Sequence, residues 1–109
     1  MNAKLSIIVP VLDQASLLET TLSALQPYRQ RGHELIVVDG GSRDGSVTIA
    51  RALSDRVVLS GAGHALQLNA GAEYAGHEIL LFLHIGSVLP EAADQLIATL
   101  MQDDQSGWG

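Results

Sequence analysis

The chain has 109 residues, 47% hydrophobic and 17% charged, with no cysteine, which suits one folded domain and excludes a disulfide framework or a thiolate metal cluster. The net charge of −6 is one-sided: all six Lys and Arg lie within residues 1–56 beside six acids, while residues 57–109 hold six acids and no Lys or Arg. No basic face is offered to nucleic acid, no apolar run reaches the length of a membrane span and no signal-peptide core follows Met1, so the composition predicts a cytoplasmic protein.

In chain order, "LSIIV" (5–9) reads as a short buried strand ended by Pro10. "SLLETTLSALQPYRQ" then predicts a helix with Leu18, Thr21, Leu22 and Leu25 on one face. Ser16 and Glu19 match a capping box at its start, and Pro27 marks its end or a kink. "ELIVV" (34–38) is the second strand, and residues 45–54 read as a helix through Val47, Ile49, Ala50 and Leu53. "RVVLS" (56–60) is the third strand. Ala65, Leu68, Ala72 and Ala75 recur at helical spacing, and "EILLFLH" (78–84) is the fourth and most continuously apolar strand. Pro90 suits the first turn of a last helix, with Glu91 near its positive end and Ala93, Leu96, Ile97 and Leu100 as its buried stripe.

Strand and helix alternate four times. Strands apolar on both faces and joined by helices imply one α/β domain, Rossmann-like, with a mainly parallel sheet and helices on both faces. Ligands of such sheets sit outside the carboxyl ends of the strands. Those ends read Pro10-Val11-Leu12-Asp13, Asp39-Gly40-Gly41-Ser42, Ser60-Gly61-Ala62-Gly63-His64 and His84-Ile85-Gly86-Ser87. Their glycines let backbone approach a ligand closely. Asp39 suits either a hydrogen bond from a base or ribose, or the capping of a turn, and spacing alone leaves both open. Asp44 reads as a helix N-cap. "GAGHAL" (61–66) is a partial dinucleotide fingerprint after the wrong strand. No P-loop is present, "DGGSRDG" lacks the acid spacing of an EF-hand, the four histidines lack metal-ligand spacing, and no nucleophile elbow supports a Ser-His-Asp triad.

Four ordered segments, "SIIVPVLDQ" (6–14), "LIVVDGGSRDGS" (35–46), "AGHALQLNAGA" (62–72) and "LLFLHIGSVLP" (80–90), resemble family 2 glycosyltransferases of the GT-A fold, small bacterial members above all. The resemblance covers nearly the whole chain. It implies transfer of a sugar from a nucleotide-diphosphate donor to an acceptor hydroxyl. By the same resemblance Asp39 contacts the nucleotide base, and Pro10, Val11, Leu12 and Gln14 line the nucleoside. Gly40, Gly41, Gly63, His64, His84 and Gly86 complete the expected nucleotide site. The family further implies Mg²⁺ or Mn²⁺ bridging the diphosphate.

Several positions depart from that pattern. The family's metal acid is Gly86 here, two arginines are replaced by His64 and Leu66, and Asp13-Gln14 stands for Asn-Glu. Each weakens diphosphate handling. Family members also run longer, so residues 1–109 correspond to the nucleotide-binding half, without the acceptor-binding half or its catalytic base. The uncovered apolar surface this implies favours a homo-oligomer, with Trp108 in the contact or at a frayed end. Beside the enzyme reading stand two alternatives: an inactive remnant that binds nucleotide weakly with little metal dependence, and a self-associating interaction module.

Overall fold

The structure, a computed structural model, describes residues 4–61, 63–77 and 79–86. The expected helix from Pro90 and the contact at Trp108 lie outside the described residues. In chain order the elements are β1 (Leu5–Val11), α1 (Ala15–Ala24), α2 (Gln26–Gln30), β2 (Glu34–Asp39), α3 (Ser46–Leu53), β3 (Arg56–Leu59), α4 (His64–Tyr74) and β4 (Ile79–Phe82). The four strands form one sheet in the order β3-β2-β1-β4, with every pair parallel.

Side chains of a strand alternate between faces, and two cores follow from that alternation. Leu5, Ile7, Val9, Val11, Leu35 and Val37 pack with Leu18, Leu22, Leu25 and Tyr28 of the first two helices and Ala50 of α3. Ile8, Ile36, Val38 and Val58 turn the other way, onto Ala70, Ala72 and Ala75. The expected two-sided α/β layer is therefore what the chain builds. β2 and β3 step away from β1 on one side, and the connection through α4 returns the chain to the other side. The order reverses between β1 and β4, the switch point where open α/β sheets receive ligands.

Four expectations need correction. Pro10 does not end the first strand, which continues to Val11. The Val11 carbonyl accepts from Gly40 N at 3.0 Å and the Ile8 carbonyl from Leu83 N at 2.9 Å. Alternate residues of β1 thus face alternate neighbours, and Pro10 faces β4, where its missing N–H costs nothing beyond the last rung. The capping box at Ser16 and Glu19 does not form. Helix α1 starts earlier, at Ala15, and makes no side-chain cap; the Ala15 amide instead donates to Asp44 Oδ2 at 3.1 Å. Asp44 stands one residue before the N-cap of α3, which is Gly45, yet its Oδ1 still accepts from Ser46 N at 2.9 Å. On α4, Ala65 is exposed, and among the described side chains the buried positions are Gln67 and Gly71. A Cβ on Gly71 would overlap Ile8 Cγ2 and stand 2.9 Å from Val38 Cγ2, so glycine sets how closely α4 approaches the sheet. Pro27 lies in the first turn of α2, after α1 has broken at Leu25, as its two expected roles allow.

Candidate functional site

The carboxyl end of β2 carries Asp39 into a turn. Its side chain is buried, at 2% exposure, and its two oxygens differ. Oδ2 accepts from Gly41 N at 3.0 Å and Ser42 N at 2.8 Å. Oδ1 is buried with no hydrogen-bond partner. One oxygen of the carboxylate thus fills the turn-capping role that the sequence left open, and the other is left without a partner. A buried acceptor without a donor costs about 1–3 kcal/mol, more when charged, so a ligand N–H at Oδ1 would recover that cost. Gly41, at φ 107°, takes a left-handed turn that favours glycine.

The loop after β1 is latched to this turn. Asp13, at φ 50° without being glycine, donates its amide to Ser42 Oγ at 2.8 Å and accepts from Arg43 N through Oδ1 at 2.7 Å. Asp44 adds the bond to Ala15 already described. Its bonds from Ser46, first the hydroxyl and then the amide, hold the Asp44 carboxyl below the ordinary aspartate value, and the Ala15 amide adds to them. Two loops from different strands thus form one rim.

Pro10, Val11, Leu12, Gln14 and His84 line a single cleft at the switch point, together with Gln67 and Ile85. Of the turn after β2, Gly40 borders it across Gln67, whose Cδ would stand 3.0 Å from a Cβ on Gly40, while Asp39 and Gly41 are not among the cleft's lining residues. Gly63 is the N-cap of α4 at φ 132°, and His64 is the first residue of that helix. Gly86, exposed at φ 87°, donates its amide to Thr21 Oγ1 at 3.0 Å, which ties the segment after β4 to α1. The structure brings the first and fourth strand ends into one cleft, and it sets the second at the cleft border. Gln67 and Ile85 were absent from the sequence-based set. The available signal for Gln67 was a polar residue four before Gly71, on one helical face.

Among the described residues no group of three His, Asp or Glu side chains is placed to hold a metal ion, and no helix is long and apolar enough to cross a membrane.

The sequence model of glycosyl transferase family 2 matches residues 6–106. The glycosyltransferase AglE of Haloferax volcanii is 34% identical over an 87-residue alignment that covers 72% of this chain and 29% of that protein. Among solved structures, the mannosyltransferase PcManGT of Pyrobaculum calidifontis, in complex with GDP-Man and Mn²⁺, matches with a TM-score of 0.71 at 26% identity, over 92% of this chain and 32% of that one. S. aureus TarS in complex with UDP-GlcNAc matches with a TM-score of 0.78 at 21% identity, over 94% of this chain and 32% of that one, a likeness of fold alone. This chain spans about a third of the length of these relatives.

Proposed function

Because the chain belongs to glycosyl transferase family 2, we propose that the cleft at its switch point holds the nucleoside of a nucleotide-diphosphate sugar, as the donor-binding part of a glycosyltransferase. In that reaction an acceptor hydroxyl oxygen attacks the anomeric carbon, the bond to the diphosphate breaks, and the nucleoside diphosphate leaves. The residues assigned here bind and orient the donor. No described residue is assigned as the base.

The observation that carries this reading is the second oxygen of Asp39, buried and without a donor at the end of a central strand. Uracil and guanine each present a ring N–H of the kind such an oxygen lacks. The latched rim of residues 13–15 and 42–44 gives the loop beside it a defined shape before any ligand arrives. PcManGT, crystallised with GDP-Man, supports the ligand class.

PcManGT was crystallised with Mn²⁺, but the described donor set of this chain does not fit a divalent ion. Hard cations need several oxygen ligands, and the position where the resemblance expects an acid is Gly86. Our reading is therefore nucleotide binding that is weak and depends little on a divalent metal. It further takes the protein as cytoplasmic and self-associating; exposed Leu80 and Phe82 on β4 support the second part.

The test is a titration of UDP and of GDP into the 109-residue chain, with and without Mn²⁺, followed by calorimetry and backbone NMR. We expect shifts concentrated in residues 11–14 and 39–42, with Mn²⁺ changing the affinity little. Silence at millimolar nucleotide would overturn the binding reading, and a large Mn²⁺ effect would overturn the metal part alone.

A further inference from the structure

Gln67 sits in the first turns of α4, on the face turned to the sheet, and is 6% exposed. A buried primary amide must place both of its N–H bonds. Here Nε2 donates to the Val11 carbonyl at 2.9 Å and to the Val38 carbonyl at 3.1 Å. These are carbonyls of two neighbouring strands, one on the last residue of β1 and the other immediately before Asp39 on β2. The Val11 carbonyl also accepts from Gly40 N at 3.0 Å, so one side chain, two strand ends and the turn after Asp39 share a network. Gly40 completes the fit, because a Cβ there would stand 3.0 Å from Gln67 Cδ and 3.1 Å from Nε2. The same side chain lines the cleft beside Pro10, Leu12 and His84.

We propose that Gln67 is a positioning residue for the nucleotide site: it clamps the ends of β1 and β2 at one separation and thereby sets where the Asp39 carboxylate and the Leu12–Gln14 loop stand. The amide suits the task because its two donors diverge from a single planar nitrogen and meet two carbonyls at once. A leucine of similar size fills the space and holds neither carbonyl. A glutamate keeps the shape and faces both carbonyl oxygens with negative charge. It regains one donor only when protonated, and burial beside carbonyl oxygens pushes a carboxyl toward that form.

The inference rests on the nucleotide reading, so its experiment carries one arm that needs no ligand. Wild type, Gln67→Leu, Gln67→Glu and Val58→Ala are compared. Val58→Ala serves as a control, destabilising the core on the α4 side of the sheet through a side chain that makes none of the clamp's hydrogen bonds. In the free proteins, the Gly40, Gly41 and Ser42 amide resonances should move in Gln67→Leu well beyond their movement in Val58→Ala. In titrations with the tighter of UDP and GDP, Gln67→Leu should bind at least tenfold more weakly than Val58→Ala at temperatures where both are folded. Gln67→Glu should bind poorly at neutral pH and recover part of its affinity as pH falls, relative to wild type at the same pH. If wild type binds and Gln67→Leu binds no more weakly than the control, the positioning role is wrong and the nucleotide reading stands. If wild type binds neither nucleotide, that reading fails. The amide arm then decides the clamp by itself: movement of Gly40–Ser42 supports it, and unmoved resonances overturn it.

Discussion

Replacing Asp39 by Asn keeps one oxygen for the Gly41 and Ser42 amides and turns the unpartnered position into an N–H donor. The turn should survive, whereas a ligand N–H would meet another donor. Losing a hydrogen bond to a charged group costs about 1.5–3 kcal/mol, so Asp39→Asn should weaken nucleotide binding roughly ten- to hundredfold at nearly unchanged melting temperature. Calorimetry beside thermal melting checks both halves. Asp44 gives a second residue-scale prediction. The Ser46 hydroxyl and amide, and then the Ala15 amide, depress its folded-state value below the ordinary 3.8. Its stabilising contribution is therefore complete above that ordinary value and is lost as pH falls through the depressed one. Asp44→Ala should lower the melting temperature at pH 6, and the gap to wild type should narrow steadily below pH 3.8. Neither residue was fully legible in the sequence. An acid before Gly-Gly looks the same whether it caps a turn or meets a ligand, and only atomic positions divide the two oxygens of Asp39. The partner of Asp44 on α1 lies 29 residues away, outside any local motif.

Elements were more legible than their contacts, for a physical reason. Apolar runs and 3.6-residue periods are local, so strands at 5–9, 34–38, 56–60 and 78–84 and the helices between them could be read directly. Long-range partners altered the details. Pro10 stays inside β1 because the neighbour it faces has no further rung to offer, and Ser16 loses its capping role to the earlier start of α1. The spacing assigned the inward face of α4 to Ala65, Leu68, Ala72 and Ala75; Ala72 and Ala75 do pack on the sheet, but Gln67 and Gly71 are what the helix buries most deeply among its described side chains. Helix propensity alone says Gly71→Ala should stabilise by about 1 kcal/mol. Packing says the opposite: the new Cβ overlaps Ile8 and crowds Val38, and overpacking costs about 1–3 kcal/mol. Two close contacts put this site toward the upper end, so we expect net destabilisation, seen as a lower melting temperature. β4 supplies the other element-scale prediction. Phe82 is 44% exposed and Leu80 36%, both at the edge of the sheet order. Burying the exposed half of a Phe side chain contributes about 1 kcal/mol, so Phe82→Lys should weaken self-association about fivefold or more, read by sedimentation equilibrium across protein concentration. A wild-type chain that stays monomeric throughout would remove the self-association part of the proposal.

At the scale of the molecule the two ends of the sheet carry different charge. Lys4 precedes β1, Arg29 and Arg31 precede β2, Arg51 lies in the last turn of α3, and Arg56 opens β3. In a parallel sheet all five therefore stand at the amino ends of the strands. Contacts join them there: Lys4 Nζ donates to the Arg31 carbonyl at 2.6 Å, Arg29 Nη2 pairs with Asp55 Oδ1 at 3.1 Å, and Arg51, Asp55 and Arg56 line one cleft. The proposed nucleotide cleft opens at the opposite end, where Arg43 is the one Lys or Arg, since residues 57–109 contain none. In the proposed reading the base is held through Asp39 and its latched rim, and the same end of the sheet offers little positive charge to a diphosphate. The N-terminus of α4 after Gly63 faces that end and contributes about 0.3–1 kcal/mol toward an anion, far less than a guanidinium–phosphate pair. If binding resides in the nucleoside, uridine or guanosine should bind within about tenfold of its diphosphate, a gap of no more than about 1.4 kcal/mol. Added salt should change the ratio little, because few ion pairs are there to be screened. Parallel titrations of nucleoside, monophosphate and diphosphate at two salt concentrations measure this directly. A diphosphate preferred a hundredfold or more, and weakened by salt, would mean that charge is held at the strand ends by groups other than those named here, and the division between a binding end and a basic end would fall with it.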